Sequence, residues 1–338
     1  MKKKTINLFF RKPVKGQHFS VENFYMELIK NFDNKKFQFK IKICPLQSRG
    51  LINRILNIIW AFFNQGDVNH ITGDVNYISF LLKKKITINT ILDYYSLVRL
   101  SGISKFIYHL FWVKIPILKS AHIITISYKT KREIIKYSNI KKNLITVTGV
   151  CVQEIFKKKL KKKINITPKI LVIGTSYNKN IEKIIMALKN IKCKLVIIGS
   201  LSKNHIKILQ LHKISYKNYK SLSNKDIVNH YVDSDILLFP SIYEGFGMPI
   251  LEAQSTGRVV VTSKLQPMTD VGRDGALYVN PHSVKSIRNG IKKIIINQSL
   301  RKKLIQNGFT NIKRFSKQKV LYKHLQCYNT ILDKNDLI

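Results

Sequence analysis

Short runs rich in Ile, Val and Phe alternate along this chain with longer stretches of helical period. TINLFF, FQFKIKI, DVNHIT, ITINTIL, HIITIS and LITVT are too short for helices and read as strands. SVENFYMELIKNF, LINRILNIIWAFF, the segment from Tyr77 to Leu82 and TKREIIKYS lie between them and read as helices. This alternation means βαβ units and a parallel sheet, an α/β fold. After FKKKLKKKINITPK, which has the lysine run and proline of a linker, the pattern restarts. KILVIG, KLVIIG, DILLFP and RVVVT are strands; NIEKIIMALKNI, SKNHIKILQLH, NKDIVNHYV and MPILEAQST are helices. The expected organisation is an α/β domain over 1–155, a linker over 156–168 and a second α/β domain over 169–315. A helix and tail over 316–338 could pack on either domain.

Two domains with ordinary cores fit within 338 residues. The charge is extreme: 60 Lys+Arg against 18 Asp+Glu, formally +42. Nucleic acid, an anionic membrane surface or phosphorylated small molecules could each answer it. The crowding of Lys with Ile and Asn, as in an AT-rich genome, competes equally as an explanation. No sequence resembling a nucleic-acid module accompanies the charge, so nucleic acid is not an expected partner. Cys44, Cys151, Cys193 and Cys327 lack metal-ligand spacing and read as reduced thiols of a cytosolic protein. MKKKTINLFFRKP is too short in its apolar run for a signal peptide and reads as a first strand. No apolar stretch is long enough to span a bilayer. Gly174 and Gly199 end strands, but neither opens a G-x-G-x-x-G fingerprint, and no Walker sequence is present.

The stretch SIYEGFGMPILEAQSTGR concentrates the chemistry. It follows the apolar strand DILLFP, so it lies at a strand's carboxyl end, where open α/β sheets bind ligands. Pro249 suits the first turn of a helix. The amides of Phe246, Gly247 and Met248 would then leave the helix start and meet a phosphate. Gly245 and Gly247 let a ligand come close. Glu252, one turn into the helix, can accept two hydrogen bonds from a vicinal diol such as a ribose. Glu244, on the loop, can accept a hydroxyl proton or stabilise positive charge. Taken singly, either glutamate could be a dipole partner or a loop residue; the pair with glycines between is the signal.

E-G-F-G-M-P-I-L-E-A resembles the E-x7-E signature of family 4 retaining glycosyltransferases of the GT-B fold. GTSYNKNIEKIIMALKNI is similar to that family's strand-loop-helix with a Lys-Asn pair. HIITISYKTKREI, TVTGVCVQEIF and PMTDVGRDGALYVNP are similar to further segments of it. The resemblance implies two Rossmann-like domains with parallel sheets facing across a cleft. It implies a nucleotide-sugar donor, a saccharide or lipid-linked acceptor and neither cofactor nor metal. Lys179 would neutralise the donor's diphosphate, Glu252 would bind its ribose, and Glu244 with the amides after it would hold the transferred sugar. Gly16, in the loop KGQHFS, would let the donor phosphate or the acceptor approach the backbone.

Two departures stand out. Thr175 occupies a position where the family often has a second basic residue. Leu92 stands in Thr90-Ile91-Leu92-Asp93 where the family usually has a histidine, and a leucine cannot hydrogen-bond a sugar; Asp93 is the candidate to substitute in part. Asp233-Ser234-Asp235 precedes a strand rather than following one, so it reads as a helix end and not a metal site. His70 reads as structural, and His18 as a weak candidate beside Gly16. LINRILNIIWAFF and FIYHLFWVKIPILK mix aromatic and basic residues as a membrane interface does, or are core helices. The reading is a retaining glycosyltransferase of bacterial surface-polysaccharide assembly, O-antigen or capsule, at the cytoplasmic membrane face. The alternatives are a non-catalytic basic binder of membranes or polyanions, and a nucleotide-sugar epimerase.

Overall fold

The computed structural model describes residues 3–13, 20–30, 32, 35–160 and 165–336. Gly16 and His18 lie outside the described residues. The chain divides into two compact units, Met1–Cys151 with Lys317–Ile338, and Val152–Ser316.

The first unit is built on β1 (Lys4–Phe10), β2 (Phe37–Ile43), β3 (Val68–Ile71), β4 (Thr87–Ile91), β5 (His122–Thr125) and β6 (Ile145–Val147). They form one sheet in the order β2-β1-β3-β4-β5-β6, every described pairing parallel. Strands β3, β4 and β5 are buried along their whole length. A central parallel strand has both faces covered, so its polar residues, Asn69, His70, Asn89 and Thr90 among them, are buried along with the apolar ones. The Tyr77–Leu82 stretch, expected as an α-helix, is a 3₁₀ helix over Asn76–Leu81. Its amides bond three residues back, Ile78 to Val75 and Leu82 to Ser79, and the Ser79 hydroxyl donates to the Asn76 carbonyl at 2.8 Å. A piece this short accepts the tighter geometry.

The C-terminal helix Lys317–Asp336 belongs to this first unit. Its Tyr328 hydroxyl meets His70 Nδ1 at 2.7 Å, and His70 Nε2 lies 2.8 Å from Thr90 Oγ1. The His324 ring packs edge-on to Tyr25 at 5.8 Å. His70 and His324 are fully buried. His70 is thus a structural residue that ties a strand to the returning helix.

The second unit holds β7 (Lys169–Ile173), β8 (Lys194–Ile198), β9 (Tyr216–Tyr219), β10 (Ile236–Phe239), β11 (Val259–Ser263) and β12 (Leu277–Val279). Their order is β12-β11-β10-β7-β8-β9, again all parallel. The edge strands β9 and β12 were not expected, because YKNY carries no apolar run and LYV is only three residues long. The core between sheet and helices is aliphatic, with Ile170, Ile184, Ile197, Leu238, Val261 and Ile291 buried.

Although its composition is that of a linker, the lysine-rich stretch lies against the second unit where it is described. Phe156 meets the Tyr231 ring edge-on at 5.6 Å, and Lys158 sits over Phe309 at 4.6 Å. Buried Arg258 donates to the carbonyls of Lys159, Val232, Ser234 and Thr256.

Each sheet has one place where strand order reverses, and there the loops at the carboxyl ends diverge and leave a crevice. In the second unit it falls between β7 and β10; in the first, between β1 and β3. The described residues among those singled out for chemistry lie at or next to these places.

Candidate active site

In the second unit, the loop after β7 and the loop after β10 are stitched together by two asparagines. Asn178 Nδ2 donates to the Tyr243 carbonyl at 2.9 Å, and the Ile242 amide donates back to the Asn178 carbonyl at 2.9 Å. Asn180, left-handed at φ 63°, donates to the carbonyls of Pro240 and Pro281 at 3.1 and 2.7 Å. Asparagine tolerates that backbone region and brings a side-chain donor to it. Asn178 carried no sequence signal of its own.

This stitching sets Lys179 against Glu244. Nζ donates to Oε1 at 2.6 Å, with only 17% and 12% of the two side chains exposed. Lys179 Nζ also lies 4.7 Å from the centre of the Phe239 ring. Gly174 makes room for this lysine: at φ 84° it favours glycine, and a Cβ there would stand 2.9 Å from Lys179 Cε.

The β10 loop runs into the helix Met248–Thr256 through Gly247, whose φ of 108° again favours glycine. Pro249 sits in the first turn, and no side chain caps the helix start. Gly245 and Gly247 are buried, and Met248 is half-buried. Phe246 is buried too, its ring edge-on to Phe315 at 5.6 Å, so its side chain anchors the loop.

Glu252 lies in this helix. The Tyr231 hydroxyl, from the helix Asn224–Asp233, donates to its Oε2 at 2.6 Å. Burial pushes the Glu252 carboxyl up to about 7, against the lowering effects of the Tyr231 hydrogen bond and the nearby Lys179 charge. Burial likewise raises Tyr231 far above the usual phenol range, with the Glu252 charge adding to it. Tyr231 was not foreseen; it stands 21 residues from its partner on an ordinary amphipathic helix.

Lys179, Glu244 and Glu252 are therefore together in the second unit, around the start of one helix. Asp93 belongs to the first unit, just beyond β4. It is exposed, accepts from the Tyr95 amide at 2.8 Å, and lines a cavity of about 790 Å³ at the carboxyl end of that sheet. Leu92 lines the same cavity and covers Gly73, where a Cβ would meet its Cδ1 at 2.9 Å. In the second unit, Ser234 caps the end of the helix before β10, and Asp235 accepts from the Lys169 amide and Asn165 Nδ2, both at 2.8 Å. Asp235 is thus used in holding the start of β7. Among the described residues no cluster of His, Cys, Asp and Glu could hold a metal ion.

Residues 153–311 match the family model for glycosyl transferases group 1. The chain is 29% identical over 206 residues to the O-antigen chain mannosyltransferase RfbU of Salmonella typhimurium, a match covering 56% of this chain and 55% of the relative. It is 26% identical to the capsular polysaccharide biosynthesis glycosyltransferase CapM of Staphylococcus aureus, over 76% of this chain and 74% of that one. The chain thus spans about half the length of the first relative and three quarters of the second. Among solved structures, Anabaena Alr3699/HepE in complex with UDP and glucose superposes with a TM-score of 0.73 at 13% identity, covering 97% of this chain and all of that one. The chain, with its two α/β units on six-stranded parallel sheets, thus has the fold of this neighbour. Through the match across residues 153–311, the second unit is similar to the glycosyl transferases group 1 family.

Proposed function

We propose that this protein transfers a sugar from a nucleoside diphosphate donor to a saccharide or lipid-linked acceptor, with retention of configuration, in the assembly of a bacterial surface polysaccharide. The observation that carries the reading is the Lys179–Glu244 pair, 2.6 Å apart at the crevice of the second sheet and beside an uncapped helix start. The relatives named for O-antigen and capsule synthesis support the polysaccharide setting and make a mannosyl nucleotide the first donor to try.

The chemistry is a problem of charge. The departing nucleoside diphosphate gains negative charge while the anomeric carbon becomes oxocarbenium-like. Lys179 and the amides of Gly247 and Met248 stabilise the first; Glu244, with the leaving phosphate, stabilises the second. No covalent intermediate needs to be invoked. Glu252, steadied by Tyr231, holds the ribose through the oxygen that Tyr231 does not occupy. Asp93 acts on the acceptor side in place of the histidine that Leu92 replaces. No cofactor or metal enters the scheme.

Catalysis takes place at the cytoplasmic face of a membrane that the first unit touches. Both units carry thirty basic and nine acidic residues, so charge alone favours neither. The first unit differs in its exposed apolar face: Leu51, Ile52 and Phe63 of the Leu51–Phe63 helix are 72%, 74% and 77% exposed, and Ile103 and Phe106 of Gly102–Tyr108 are 79% and 67% exposed. Its two tryptophans turn inward instead, Trp60 onto Phe9 and Trp112 onto Tyr108. No described helix is long and apolar enough to cross a membrane.

The direct test is calorimetric screening of nucleotide sugars, followed by NMR of the product's anomeric configuration. Binding and turnover of one donor, with the anomer retained, is the expected result. Binding without transfer to any acceptor, or donor conversion without an acceptor, would replace the reading with a binder or an epimerase.

A further inference from the structure

The cavity of the first unit holds more positive charge than its own carboxylates balance. Its wall comes from the loops after β1 to β4 and from the 102–113 helical segment. Arg11 is engaged by Glu22 and Asp74, each at 2.8 Å. That leaves Arg49, Arg54 and Lys12, the last donating to the Pro45 carbonyl at 2.7 Å, on the cavity wall, with Asp93 as the remaining carboxylate among the described lining residues.

Two polar atoms in this wall are buried without a hydrogen-bond partner, one a donor and one an acceptor. Arg54 stacks its guanidinium 4.6 Å from the Trp112 ring centre and donates Nη2 to the Ser48 carbonyl at 3.2 Å, yet its Nε has no partner. Asn76 is 7% exposed, and its Oδ1 has no partner. Leaving either atom unmatched is costly, the charged donor most of all. A guanidinium Nε beside Nη presents the paired donors that fit a phosphate or carboxylate edge. The amide oxygen of Asn76 needs a donor, which a sugar hydroxyl supplies.

We propose that this cavity binds a phosphate-bearing saccharide, with its phosphate on Arg54 and Arg49 and a sugar hydroxyl on Asn76. A phosphate sets its acceptor oxygens tetrahedrally and can meet Arg49 and Arg54 together, as a monoester or as a lipid-linked diester, whereas a planar uronate offers one edge to one guanidinium. The inference rests on the glycosyltransferase reading and deepens it, since the bound molecule is the acceptor. The helices that line the cavity also carry the exposed apolar face: Arg54 shares a helix with Ile52 and Ile55, and Ile107 with Ile103 and Phe106. A lipid attached through the phosphate would leave the cavity along that face.

The test is calorimetry on the full chain with four mannose probes: methyl mannoside, its uronate, methyl mannosyl phosphate and a short prenyl mannosyl phosphate. Saturating nucleoside diphosphate is present throughout, so that the phosphate probes do not enter the donor site. The phosphate probes should bind at least tenfold more tightly than the neutral and uronate ones. Arg49→Gln and Arg54→Gln should each remove about tenfold to a hundredfold of that affinity, and Arg54→Lys should restore part of it. Lys179→Ala should leave phosphate-probe binding unchanged. Arg49 is exposed, so its variant tests the site even if Arg54→Gln misfolds. Tighter binding of the prenyl probe than of the methyl phosphate assigns the ligand to a lipid-linked saccharide; equal binding assigns it to a soluble sugar phosphate; both support the site. Equal affinity for neutral and phosphate probes, or indifference to both arginine variants, overturns it. Nucleotide binding, measured separately, reports whether the glycosyltransferase reading itself fails.

Discussion

Lys179 Nζ donates to Glu244 Oε1 at 2.6 Å, although the two residues stand 65 positions apart in the chain. The cation proposed for the diphosphate and the carboxylate proposed for the sugar are therefore direct neighbours, with Lys179 also placed by Phe239 and Gly174. Lys179→Ala should lower affinity for a nucleoside diphosphate by about tenfold to a hundredfold, the loss of a charge-assisted hydrogen bond. Affinity for the bare nucleoside should hardly move. Calorimetry giving equal losses for both ligands would remove Lys179 from the diphosphate.

The two glutamates should separate in their effects. Glu252→Ala should weaken nucleotide binding itself, because the ribose loses its acceptor. Glu244→Ala should spare free nucleotide and cut transfer, at a cost of about 1.5–3 kcal/mol in the barrier. Comparable losses of nucleoside diphosphate affinity in both variants would contradict this division.

Tyr231→Phe tests the oxygen of Glu252 that is already engaged. The tyrosine hydrogen bond favours the charged carboxylate, so its loss should move the Glu252 titration above about 7. Carbon-13 NMR of labelled glutamate follows this directly. An unchanged titration would mean that the 2.6 Å contact contributes little.

The buried histidines of the first unit and Glu252 of the second should respond to acid in opposite senses. In the first, burial holds His70 well below the usual imidazole range and His324 at about 4. Tyr25, Tyr328, Thr90 and the two imidazoles themselves face one another there. The unfolded chain takes up these protons first, so the first unit should lose stability as pH falls from about 6.5 towards 4, by up to roughly 1.4 kcal/mol per pH unit and proton. Glu252 in the second unit runs the other way. Raised to about 7, it favours the folded state most below about 4.5 and loses that contribution as pH rises to 7. Both tryptophans lie in the first unit, so tryptophan-detected melting reads the histidine effect there together with the opposing one of Asp74, whose carboxyl burial raises. His324→Phe should flatten the first dependence and Glu252→Gln the second. A first unit equally stable at pH 6.5 and 4.5 would be the contrary result.

Vesicle binding should rise with anionic lipid and fall with salt, each basic residue near the surface contributing roughly 1 kcal/mol. Because the charge is evenly divided, apolar substitutions are the sharper probe. Replacing Ile52 and Phe63 by Ser should weaken binding by about 1.5–3 kcal/mol for each side chain that enters the interface. Binding that tracks charge alone and ignores these two positions would leave the apolar face without this role.

Most elements were legible locally, since a strand's run of β-branched residues and a helix's apolar period are properties of consecutive residues. FQFKIKI, LINRILNIIWAFF and MPILEAQST coincide with elements of the structure at both ends. The glutamate-glycine stretch was legible for the same reason, being one loop and one helix start. Strands β9 and β12 were not, because an edge strand of three or four residues is defined by its neighbour's hydrogen bonds and not by its own composition. The partners of the marked residues were also invisible. Glu252 with Tyr231, Arg54 with Trp112, and His70 with Tyr328 are joined across 21, 58 and 258 positions. Nothing periodic in the chain encodes such pairs. Burying a charged or hydrogen-bonding group selects its partner only once the sheet order has brought the loops together.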